Sequence, residues 1–63
     1  MTETFRKTME ASAERMTAEQ VRDAYDKTLA SAVKVAAEQG AQSELAVFLN
    51  ETAAIFAAKL PRS

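Results

Sequence analysis

The 63-residue sequence contains no cysteine, no histidine and no tryptophan, and only one glycine and one proline. Without cysteine there is neither a disulfide nor a thiolate nucleophile. Without histidine, the common zinc sites and Ser–His catalysis are excluded. A single glycine cannot build a phosphate-cradling loop. Neither sign of charge dominates: eight basic and nine acidic residues leave a net charge of −1. Nucleic-acid binding rests largely on phosphate neutralisation, so no nucleic acid is expected as partner. No apolar run approaches the roughly 18 residues of a membrane-spanning helix. The opening MTETFRKTMEAS is polar and mixed in charge, unlike a secretory signal, so the expected location is cytoplasmic.

What remains is helix former. Hydrophobic residues make up 48% of the chain, and fourteen residues are alanine. Alanine brings one methyl to a core, so the apolar content overstates the core that can form. Alternating strand patterns are absent, and Ala, Glu, Lys and Arg favour helix throughout. The expectation is a single all-α domain over 1–63. It consists of an antiparallel hairpin of helices at about 18–39 and 42–60, with a shorter amphipathic helix at about 3–15.

In the first helix, Phe5, Met9, Ser12, Ala13 and Met16 share a side, with Glu3, Lys7, Glu10 and Glu14 opposite. The stretch MTAEQV then offers a helix start. Thr17 is an N-cap with Gln20 three residues on, and Met16 and Val21 stand at the two positions of a hydrophobic staple. Nothing there forbids helix as Pro or Gly would, so one continuous helix from 3 to 39 stays open. In the second helix, Val21, Tyr25, Thr28, Leu29, Ala32, Val35 and Ala36 share a face, with Val33 at its margin. Asp23 and Lys27 are spaced to pair at i,i+4. Gly40 suits a left-handed helix end. Pro61 stops the third helix, and Lys59 and Arg62 lie where its dipole favours cations.

That third helix, LAVFLNETAAIFAAKL, is apolar almost all round, and such helices are usually covered all round. One broad arc holds Leu45, Phe48, Leu49, Thr52, Ile55, Phe56 and Leu60. Of these, Phe48, Leu49, Ile55, Phe56 and Leu60 are the expected hairpin core. The other arc is small and nearly uncharged. On it, Ala46, Asn50, Ala53 and Ala57 are spaced to let a second helix approach, and Asn50 is placed to fix the register of that contact. Phe5, Met9 and Met16 would dock the first helix. Chains below roughly 70–80 residues rarely stabilise themselves with one core. With disulfides and histidine-based zinc sites excluded, the expected remedy is a protein partner, either a second copy or a larger protein.

Chemistry is thinly represented. Glu10 with Glu14, and Glu19 with Asp23, are carboxylate pairs at i,i+4, but they fall on polar sides where a hydrated charged face is the ordinary reading. No metal, cofactor or catalytic residue is expected, and the protein reads as a non-enzyme. The segment GAQSELAVF, residues 40–48, resembles the region around the prosthetic-group serine of acyl carrier proteins. It departs from that pattern at Gln42, which stands where those proteins have aspartate, and at Glu44, which stands where they have leucine. Ser43 otherwise reads as an ordinary residue near the N-terminus of the third helix. The alanine-rich amphipathic composition resembles phasins, which coat polyester granules, although no motif carries that likeness. It implies a second reading, adsorption on a lipid or granule surface.

Overall fold

The computed structural model describes residues 2–60. The protein is all-α, with α1 at Glu3–Arg15, α2 at Ala18–Gln39 and α3 at Glu44–Lys59. Pro61 and Arg62, assigned above to the end of the third helix, lie outside the described residues. Within them, α3 closes at Leu60, whose backbone N–H donates to the Ala57 carbonyl.

Each helix start is a side-chain cap. Thr2 accepts from the Phe5 N–H at 3.1 Å. Thr17 accepts from the Gln20 N–H at 3.1 Å while the Gln20 side chain accepts from the Thr17 N–H at 3.0 Å, a complete capping box. Ser43 accepts from the Ala46 N–H at 3.1 Å. Helices one and two are therefore separate, because Met16 and Thr17 take extended backbone (ψ 150° and 163°) and the box fixes the new start. Gly40 ends α2 with φ 95° and ψ 147°. This positive φ suits glycine, but the ψ is extended, so the turn is not the left-handed helical cap that the sequence suggests.

The turn at 40–43 folds α3 back along α2. The α1 helix runs parallel to α3, for Phe5 meets Phe48 near the start of both and Glu14 meets Lys59 near their ends. Contacts run from α2 to α3 and from α1 to α3, with little between α1 and α2. Thus α3 is the central element, and the Cα envelope of 32 × 26 × 15 Å is that of helices laid side by side. All three meet in one place: Ala13 of α1, Val21 of α2 and Phe56 of α3 form the core, closed by Met9, Met16, Ala24, Tyr25 and Leu60. Both staple residues, Met16 and Val21, belong to this cluster. Beyond it, Ala32, Ala46, Ala53 and Ile55 are buried, so the core is short of bulky groups.

Candidate interaction surface

The arcs of α3 are not divided as its bulky residues suggest. Ala46 and Ala53 are 0% and 3% exposed. The sequence suggests that they admit a helix from outside, but they face the interior of this same chain. Two side chains of one carbon each let α2 lie close against α3. Leu45, which shares the broad arc with the expected core residues, is 44% exposed. Phe56 and Ile55 are buried, while Phe48, Leu49 and Leu60 are half-buried. Ile55 also borders the groove between α1 and α3, together with Arg6, Glu10, Glu51 and Lys59. Phe5, Met9 and Met16 are half-buried. Phe5 meets Phe48, and Met9 and Met16 pack on the core.

The polar groups inside α3 are satisfied locally. Thr52 is buried, and its hydroxyl donates to the Phe48 carbonyl at 2.9 Å. Asn50 is exposed, and its Nδ2 donates to the Ala46 carbonyl at 3.0 Å. Among the described residues no buried side-chain polar atom lacks a partner. The hairpin therefore hides no polar group awaiting a ligand.

Heptad geometry locates the open face. Alternating spacings of three and four through buried and half-buried residues assign the seam of the hairpin to Val21, Tyr25, Thr28, Ala32 and Val35 on α2, and to Ala46, Leu49, Ala53, Phe56 and Leu60 on α3. This numbering puts Leu29 and Ala36 on the same flank of α2 as Asn50 and Ala57 occupy on α3. Reversing one helix brings like flanks to the same side of the pair. Thr52 and Lys59 mark the other flank, where α1 lies. One face of the hairpin is thus left uncovered by α1. Next outward on it stand Val33 and Val47, whereas Ala54 lines the groove between α3 and Arg6 and Glu10 of α1.

Leu29, Val33 and Val47 are 37%, 64% and 40% exposed. Leu29, Val33, Ala36, Val47, Asn50 and Ala57 carry no charge between them. The Arg22–Asp26 ion pair, at 3.4 Å, closes one end of the face. Sequence reasoning places Asn50 and Ala57 on such a surface but puts Leu29 in the core and leaves Val33 at its margin. The signal that locates them is the antiparallel heptad, read on both helices together.

Two further ion pairs lie away from this face. Asp23 pairs with Lys27 at 3.0 Å, as the i,i+4 spacing predicts, and Glu14 pairs with Lys59 at 3.2 Å. Among the described residues no three carboxylates gather where a cation could sit. No helix among them is long and apolar enough to cross a membrane. Comparison with known proteins finds no matching family model, no matching curated protein and no matching solved structure.

Proposed function

We propose that this protein is a non-enzymatic helical interaction module. It acts as a homodimer or as a small accessory subunit of a larger complex, including a regulator that sequesters its partner. The observation that carries this reading is the uncharged hairpin face around Leu29, Val33 and Val47, each more than a third exposed. Burying such side chains is favourable by about 25 cal/mol per Å² of apolar area. The core supplies little of its own. Among the described residues, Val21, Ile55 and Phe56 are the only buried hydrophobics larger than alanine. A partner helix laid along α2 and α3 would complete a four-helix arrangement.

The test is sedimentation together with far-UV circular dichroism across a dilution series. Assembly through this face predicts a mass above one chain and helicity that falls as the complex dissociates. A chain that stays fully helical at nanomolar concentration, with the mass of one copy, would count against obligate self-assembly. Helicity that appears only on adding lipid vesicles would favour surface adsorption instead.

A further inference from the structure

We propose that two copies of this chain exchange α1, so that each α1 docks on the α3 of the other copy. The inference goes beyond the reading above, because it uses the seam between α1 and α3 and leaves the open hairpin face untouched. The link between α1 and α2 consists of Met16 and Thr17 alone, with neither glycine nor proline. Returning those two residues to helical backbone fuses α1 and α2 into one helix from Glu3 to Gln39, roughly 55 Å long. The turn is held by the capping box, whose two hydrogen bonds are exposed, and by the packing of Met16 on the core. Backbone approach between α1 and α2 is slight, so what straightening gives up is the side-chain packing around Ala13 and Val21, which the exchanged α1 makes again on the second copy.

The direction of the chains permits the exchange. Once straightened, α1 projects beyond the end of the hairpin where Lys59 lies. A second copy, related by a two-fold axis across that end, presents its α3 running parallel to the projecting α1. Parallel is the orientation that α1 and α3 have within one chain, as the Phe5–Phe48 and Glu14–Lys59 pairs require. The packing that α1 gives up on its own α3 is made again on the α3 of the second copy, so the balance is decided at the hinge and by concentration.

The test uses the absence of native cysteine. In a Glu14→Cys/Lys59→Cys double variant of the full chain, a short bismaleimide links the two sites. In a monomer the link closes within one chain; in the exchanged dimer it joins two chains, which denaturing electrophoresis separates. The dimer fraction is expected to give linked pairs, and only intrachain links in that fraction would overturn the proposal. A Thr17→Ala/Gln20→Ala variant weakens the turn but not the continuous helix. Loss of a cap shifts the balance by roughly fivefold per chain, so the dimer dissociation constant should fall on the order of twenty-fold. An unchanged constant would overturn the proposal. Inserting Gly-Ser-Gly between Met16 and Thr17 tests the hinge with the caps intact. It should abolish interchain links, and undiminished links would contradict exchange even if the cap variant failed to fold. Val33→Glu, on the open face, should leave the interchain links unchanged. Their loss in that variant would overturn exchange and assign dimerisation to the hairpin face.

Discussion

The Phe5 ring stands 5.2 Å from the Phe48 ring, tilted by 42°. This pair fastens the start of α1 to the start of α3, about two turns from the three-helix core. Aromatic pairs in this range contribute about 0.5–1.5 kcal/mol beyond their buried area. Phe5→Ala should therefore release the first turns of α1 before the hairpin opens. Amide hydrogen exchange reads this directly: faster exchange over residues 5–10, with α2 and α3 protected as before. Equal loss of protection in all three helices would mean that α1 is part of one cooperative unit.

The core depends on Phe56, which touches both other helices through Ala13 and Val21. Truncation to alanine costs about 3–5 kcal/mol in a well-packed site. In a domain this small that is comparable with the whole stability. The expected outcome for Phe56→Ala is a chain without a cooperative thermal transition, followed by circular dichroism. A melting temperature within a few degrees of the parent would show that the core lies elsewhere.

Ala53 and Ala54 are neighbours in sequence with opposite surroundings, the first 3% exposed and the second open to solvent. Overpacking a tight seam costs about 1–3 kcal/mol, whereas surface changes stay within about 0.5 kcal/mol. Ala53→Leu should lower the denaturation midpoint clearly, and Ala54→Leu should leave it nearly unchanged. The reverse order would place the seam on the other arc of α3.

These alanines also show where the sequence is legible. The end of α2 can be read because the lone glycine acts within a few residues; the Thr17–Gln20 box signals a break before α2, but with no Gly or Pro there the sequence alone leaves a continuous helix open. The start of α3 falls two residues later than expected because Ser43, not the residues before it, supplies the cap. The facing of α3 is not legible from that helix alone. It is apolar on nearly every side, so bulk gives no preferred direction. The hairpin selects its seam by how closely the backbones approach, and Ala46 and Ala53 serve that purpose while Leu45 is left outside. Only the pattern on α2, read with α3 reversed beside it, assigns the faces.

Gly40 has φ 95°, and a Cβ built there would meet nothing within 4 Å. Gly40→Ala therefore tests backbone strain without any steric clash from packing. A residue forced into such a conformation costs on the order of 1–3 kcal/mol. Chemical denaturation should show a loss in that range with an unchanged denaturant slope, and no loss would mean that the turn relaxes to negative φ.

The central claim is that the uncharged face of the hairpin is a contact surface, and Val33 tests it best. Its side chain is 64% exposed, so a charge there leaves the interior of the chain undisturbed. The deciding measurement is sedimentation equilibrium of Val33→Glu beside the parent at matched concentrations. The account predicts an associating parent and a variant that stays helical at the mass of one chain, or of an α1-exchanged pair, with any association through the face abolished. Association of the variant equal to the parent's, with no exchanged pair found by cross-linking, would contradict it.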